Sequence, residues 1–283
     1  MNNESIDGAQ ALIKTLDELG IEYVFGYSGG AALPIFDALE TVSTKMKFIL
    51  ARHEQGACHM ADGYARATGK PAAVLVTSGP GAGNTITGIM TAQMDSIPML
   101  IISGQQVTWM LGKDAFQEAD IFGITIPIVK HSYLVRDNAD LPRIAREAYH
   151  IATTGRPGAV LIDIPKDVSQ GPFSGDMDAE IDLPGYAPET AFDIDEAAVE
   201  AAALIINQAE RPLILAGHGT MIARADDELM TLAKTLNCPV TTTLLGKGVF
   251  PETHDLALGM LGMHGTAYAN KAVCECDVLI NIG

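Results

Sequence analysis

Ala73-Val-Leu-Val-Thr-Ser-Gly-Pro-Gly-Ala-Gly83 passes from an uninterrupted apolar run straight into a glycine-rich turn. A short β-rich run that is apolar at every position reads as a strand covered on both faces. Working outward, Tyr23 to Phe25, Met99 to Ser103 and Ala159 to Ile164 have the same character, and helical stretches separate them. That alternation predicts an α/β fold with a parallel sheet of βαβ units. Upstream, Ala9, Leu12, Ile13, Leu16 and Leu19 repeat at a helical period closed by Gly20, so a helix opens the chain.

Downstream, the pattern breaks between Val168 and Asp195 into Gly, Pro, Ser and acidic residues, with Pro172, Pro184 and Pro188 interrupting any helix. This predicts a first domain over 1–168, a linker over 169–194 and a second α/β domain over 195–283. The second begins with an Ala-rich helix from Glu196 to Gln208, a strand Leu213 to Ala216, a helix near Ala223 to Leu236 and a strand Pro239 to Thr242. Asp277 to Gly283 reads as a buried strand followed by the first glycine of a βα turn. The expectation is therefore an incomplete central domain in one part of a longer protein.

A chain of 283 residues, 48% hydrophobic, has material for two cores. Glu4, Asp7, Lys14, Asp17 and Glu18 break up the first twenty residues, so neither a secretory nor a transit pattern is legible there. No apolar run reaches membrane-spanning length. A cytoplasmic protein is expected. The net charge of −17 opposes phosphate backbones and anionic lipid, so neither nucleic acid nor membrane is an expected partner. An anion site must then use backbone N–H groups or the local cations Arg52, Lys113, Arg156 and Lys166. Cys58, Cys238, Cys274 and Cys276 form no disulfide framework or paired zinc pattern, and Cys274-Glu-Cys276 reads as two small buried residues. No metal ligand is predicted.

Phe25-Gly-Tyr-Ser-Gly-Gly30 joins a strand to a helix-like stretch, where glycine lets backbone approach a ligand, or simply makes a tight turn. Neither it nor Gly79-Pro-Gly-Ala-Gly83 has the dinucleotide spacing, and no Walker sequence occurs. Glu54, in Arg52-His-Glu-Gln-Gly56, falls at the start of a helix, where an acidic side chain also suits the helix dipole without any catalytic role.

Arg52–Gly56, Ala61-Asp-Gly-Tyr-Ala-Arg-Ala-Thr-Gly-Lys70 and Val76-Thr-Ser-Gly-Pro-Gly-Ala-Gly-Asn84, in this order, resemble the pyrimidine-binding domain of thiamine-diphosphate enzymes. Met94-Asp-Ser-Ile-Pro98, Asp114-Ala-Phe-Gln-Glu118 and Val160-Leu-Ile-Asp-Ile-Pro-Lys-Asp167 are similar to the acetolactate synthase branch of that family. Leu261-Gly-Met-His-Gly-Thr266 and Tyr268-Ala-Asn270 resemble FAD-contacting segments of that branch's central domain. The resemblance covers nearly the whole chain.

What the resemblance implies is decarboxylation of pyruvate and ligation to a second 2-oxo acid, pyruvate or 2-oxobutyrate, the first common step of branched-chain amino-acid biosynthesis. It implies thiamine diphosphate, FAD without a redox role, and Mg²⁺ held through a further domain. By the same resemblance Glu54 bonds N1′ of the aminopyrimidine, Gly30 and Ala31 lie near the cofactor's reactive end, Phe116 and Gln117 flank the substrate, and Lys166 stands at the channel mouth. Tyr27, Gly29, Pro80 and Asn84 complete the thiamine-diphosphate set. Arg156, Gly217, His218, Gly219, Thr243, Leu244, Leu245, Gly262, Met263, His264 and Gly265 correspond to FAD contacts. Phe116, Gln117, Arg156 and Lys166 are expected to meet in one cleft.

The resemblance further implies a homodimer or higher oligomer, a regulatory small subunit as a partner, and the need for a C-terminal half, without which the chain is expected to be inactive. Ser28, Gly83, Lys113 and His218 depart from the usual pattern, Ser28 and Lys113 bearing on loop geometry and substrate preference. The alternatives are another thiamine-diphosphate carboligase or oxidase, or a non-catalytic FAD-binding or interaction module.

Overall fold

The computed structural model describes residues 5–186 and 194–283. They form two compact units that divide after Pro188.

The first unit runs α1 (Gly8–Glu18), β1 (Tyr23–Gly26), α2 (Leu33–Thr41), β2 (Lys47–Leu50), α3 (Glu54–Thr68), β3 (Ala72–Val76), α4 (Pro80–Gly83), α5 (Ile86–Met94), β4 (Met99–Gln105), α6 (Ile121–Thr125), β5 (His131–Leu134), α7 (Leu141–Thr153), β6 (Ala159–Pro165) and α8 (Lys166–Gln170). Its six strands are all parallel, in the order β2-β1-β3-β4-β6-β5. Neighbouring strand residues go to opposite faces, as the period of two requires. Val24, Leu75, Leu100 and Ile162 join α1, α2 and α7 in one core. Phe25, Val74, Ile101 and Leu161 join α3 and α5 in the other. The four runs read as strands from their apolar character are those buried on both sides.

Local chemistry sets the helix ends. Asp7 and Gln10 form a reciprocal capping box at the head of α1. Gly69, at φ 71°, ends α3 in the left-handed region.

The segment after α8, expected as part of a linker, has backbone partners ahead of and at the start of α1. After α8, Gly8 N donates to Gly171 O and Phe173 N to Ile6 O, both at about 3 Å, and Tyr186 packs against the first core. Backbone pairing with the segment before α1 keeps this Pro- and Gly-rich stretch in the first unit, because composition does not register partners distant in sequence. Pro188, with the rest of 187–193, lies outside the described residues.

The second unit runs α9 (Glu196–Gln208), β7 (Pro212–Ala216), α10 (His218–Ile222), α11 (Asp226–Leu236), β8 (Val240–Thr242), β9 (Ala257–Met260), α12 (Ala267–Glu275) and β10 (Val278–Ile282). Its four strands are parallel, in the order β10-β7-β8-β9. Among the described residues β10 stands at one edge of this sheet, with Leu279 exposed. One expectation is corrected here. Cys274 is exposed and Cys276 half-buried, because α12 turns only Ala269 fully inward.

Candidate active site

In the first unit the chain leaves β1 for α2 on one face of the sheet and leaves β3 for α4 and α5 on the other. Adjacent parallel strands whose connections depart to opposite faces open a crevice at their carboxyl ends, where ligands bind in such folds. The turns after β1 and β3 meet there. Ala31 N donates to Thr77 Oγ1 at 3.3 Å. A Cβ on Gly29 would stand 2.5 Å from Thr77 Cβ, so only glycine fits. Gly30 faces open space, and Tyr27 is partly exposed.

Glu54 reaches this crevice from the first turn of α3, after β2. The residue is buried, only 8% exposed, although it is ionisable. His53 Nδ1 accepts from Gln55 N and caps the helix, leaving the Glu54 carboxylate unused by the cap. Asn84 Nδ2 donates to Glu54 Oε2 at 3.0 Å, while Oε1 has no hydrogen-bond donor among the described residues. A Cβ on Gly81 would lie 3.2 Å from Glu54 Oε1 and 2.7 Å from Thr77 Cγ2, so glycine keeps the approach to the carboxylate clear. Pro80 starts α4, behind Gly79 at φ 54°.

The loop after β4 closes against the same turn. A Cβ on Gly79 would collide with the backbone carbonyl of Gln117. Gln117 itself sits at φ 56°, a left-handed conformation uncommon for a non-glycine residue and frequent at functional sites. Its neighbour Phe116 is 82% exposed, an uncovered ring at the carboxyl end of the sheet. Glu118 accepts from Ala115 N and Gly112 N, and those bonds hold its carboxyl below the usual range. Lys166 opens α8 just past β6, and the adjacent Asp167 accepts from Thr108 N and Oγ1.

The structure therefore gathers Tyr27, Gly29, Gly30, Glu54, Pro80, Asn84, Phe116, Gln117 and Lys166 at the carboxyl ends of β1 to β4 and β6. Arg156 is not with them. It precedes β6, at the amino end, where its guanidinium donates to Ser96 Oγ at 2.7 Å and Met94 O at 3.0 Å. A seven-residue strand separates it from Lys166, about 20 Å of rise. The expected four-residue cleft is not formed, because two residues flanking one strand cannot share an end of the sheet.

The second unit shows a parallel arrangement of its own. Gly217, His218 and Gly219 follow β7, Thr243 to Leu245 follow β8, and Gly262 to Gly265 follow β9, so all lie at carboxyl ends. Thr243 N donates to Ala216 O and Leu261 N to Thr242 O, tying the three turns together. Leu244 and Met263 are exposed. Thr242 Oγ1, at the end of β8, is buried without a partner among the described residues, an unmet polar atom directly beneath these turns. His264 belongs to the Gly262–Gly265 turn, which Asn270 clasps through Gly262 N and O.

Residues 6–124 match the family described as thiamine pyrophosphate enzyme, N-terminal TPP binding domain, and residues 199–283 match thiamine pyrophosphate enzyme, central domain. The chain belongs to the thiamine pyrophosphate enzyme family. It is 55% identical over 285 residues to the acetolactate synthase large subunit of Parasynechococcus marenigrum, covering 99% of this chain and 46% of that protein. It is 50% identical to the probable acetolactate synthase large subunit of Methanocaldococcus jannaschii, over 98% of this chain and 46% of that one. The acetolactate synthase of Mycobacterium bovis is 48% identical, with 99% and 45% covered. The chain thus spans about half the length of the curated relatives it matches.

For a thiamine pyrophosphate enzyme, sequence reasoning overlooked two positions. Thr77 bridges the turns after β1 and β3, and its signal is its place directly after the apolar run of β3. Asp163 is buried inside β6, and its signal is an acid within an otherwise apolar strand. Among the described residues no group of His, Cys, Asp and Glu could hold a metal ion, and no helix is long and apolar enough to cross a membrane.

Proposed function

We propose that this chain supplies the pyrimidine-gripping part of an acetolactate synthase, which condenses pyruvate with a second pyruvate or with 2-oxobutyrate. The observation that supports this best is the carboxylate of the buried residue Glu54, held by Asn84 on one oxygen and left open on the other beside Gly81. A carboxylate so placed suits a ring nitrogen that must be bonded and exchanged with a proton. Thiamine diphosphate, when bound, would supply the carbanion stabilisation that pyruvate decarboxylation needs. Glu54 would hold and move the proton at N1′ of the aminopyrimidine. Gly29, Gly30, Tyr27, Pro80 and Asn84 would line that ring's side of the crevice. Phe116 would exclude water from the reacting end, and the Gln117 amide would orient the substrate. Lys166 would attract the carboxylate of the 2-oxo acid within an otherwise acidic molecule.

Arg156, within the first unit, and the turns at Gly217–Gly219, Thr243–Leu245 and Gly262–Gly265, within the second, are each read as FAD contacts, and the unmet Thr242 Oγ1 fits a polar ligand at those turns. Mg²⁺ would be held by a further domain. The working enzyme would be a cytoplasmic homodimer or higher oligomer, with a regulatory small subunit as its partner.

The decisive experiment uses an enzyme completed to the length of its relatives. Glu54→Gln should slow exchange of the thiazolium C2 proton by about 10²- to 10⁴-fold, the usual loss for a general acid–base group. Exchange at the wild-type rate would refute the assignment.

A further inference from the structure

Asp163 has no part in the chemistry described above, yet it lies at the base of the segment that does. It extends the face of β6 that carries Ala159 and Leu161, and it is 1% exposed. Ser103 Oγ donates to its Oδ1 at 2.6 Å and Gln105 Nε2 to its Oδ2 at 3.0 Å. The same Gln105 amide nitrogen donates to Ala119 O at 2.9 Å, and Gln105 Oε1 accepts from Gln106 N at 2.9 Å. Gln106 in turn donates through its side-chain amide to Phe116 O. An unbroken series of hydrogen bonds therefore leads from a buried carboxyl to both ends of the 105–119 segment.

We propose that Asp163 is a positioning residue which, through Gln105, sets the placement of the 105–119 segment and with it Phe116 and Gln117. The functional meaning of this rests on the active-site reading of Phe116 and Gln117 given above.

The carboxyl is suited to respond to pH as well as to hold. Burial pushes it up to about 7, aided by Asp120 and opposed by the bonds from Ser103 and Gln105. Below that pH a neutral carboxyl accepts an ordinary bond from Gln105; above it a carboxylate accepts a charge-assisted one, roughly twice as strong. A cavity of about 360 Å³, lined by Gln105, Glu118, Asp120, Phe122, Arg136 and Asp163, lies against the group. The charged groups facing Asp163 are thus Asp120 at the head of α6, Glu118 on the segment itself and Arg136 after β5. From β4 it meets Ser103 and Gln105, from β5 the register partner Leu134, and α7 packs on the other face of the sheet.

The chain's sole tryptophan, Trp109, sits within this segment and is 63% exposed, so its fluorescence reports the segment directly. The 283-residue chain should be titrated from pH 5.5 to 8.5 with no cofactor or substrate, which keeps the outcome independent of the proposed function. The wild type should give an emission step centred near pH 7. Asp163→Asn should lose that step while far-UV circular dichroism is retained. Ser103→Ala removes a bond that favours the ionised form and should move the midpoint upward, a shift that a purely structural role would not produce. A wild-type signal without a step would overturn the proposal. So would a step that survives in Asp163→Asn, or an unmoved midpoint in Ser103→Ala.

Discussion

Asn84 Nδ2 donates to Glu54 Oε2 at 3.0 Å, joining the turn after β3 to the head of α3. The bond fixes one carboxylate oxygen and so determines where the other is presented. Replacing Asn84 with Ala should leave Glu54 able to rotate. A hydrogen bond to a charged group contributes about 1.5–3 kcal/mol, so C2 proton exchange in the completed enzyme should fall roughly 10- to 100-fold. Isotope exchange followed by NMR measures this, and an unchanged rate would mean that Glu54 is held without Asn84.

Gly79 meets two demands that no other residue meets together. Its φ of 54° with ψ of −115° is accessible essentially to glycine alone, and a side chain there would collide with the Gln117 carbonyl. Gly79→Ala should destabilise the first unit by about 1–3 kcal/mol, in the range for a strained backbone site. It should also displace Gln117. Urea unfolding followed at Trp109 gives the first quantity, and a shifted native emission maximum reports the second.

Asp163 also predicts how stability depends on pH. Its ordinary value is 3.8 and burial raises it to about 7 in the folded chain. Between those values the native state holds a proton that the unfolded state has released, so stability falls as pH rises from about 4 to about 7. Below that window both states are protonated and above it both are ionised, so the slope vanishes at each end. Subtracting the urea midpoints of Asp163→Asn from those of wild type across pH 4 to 8 should isolate this downward slope. A difference that rises with pH would contradict the burial of the acid.

The sequence made legible what burial on both faces imposes. Val74, Ile101 and Leu161 alternate with Ala73, Leu100 and Val160, leaving no polar side in any of these strands, so their place in the sheet's interior followed from composition. β2 and β5 escaped that reading because they are edge strands. Lys47–Leu50 is largely exposed, and His131–Leu134 mixes polar with half-buried residues. Glu54 was legible as the head of a helix, but its burial and the bond from Asn84 depend on a turn thirty residues away. The same limit explains the 169–186 stretch, whose partners near Ile6 and Gly8 are far from it in sequence.

Arg156 and Lys166 provide the last prediction, because they flank one strand and must act at opposite ends of it. Arg156 is already engaged with Ser96 Oγ and Met94 O, both preceding β4, so its removal should perturb the amino ends of β4 and β6 and leave the Glu54 crevice in place. In the completed enzyme Arg156→Ala should therefore lose flavin, measured as absorbance near 450 nm after gel filtration, while C2 proton exchange changes less than about threefold. Lys166 stands half-buried at the carboxyl end, beside Asp167, which anchors Thr108. Lys166→Ala removes a point charge on the substrate's approach without removing a proton-transfer group, so KM for pyruvate should rise about 10-fold with kcat nearly unchanged, and the difference should shrink as ionic strength screens the charge. A loss of kcat with unchanged KM would place Lys166 in the chemical step instead, and flavin loss in Lys166→Ala with none in Arg156→Ala would reverse the two assignments.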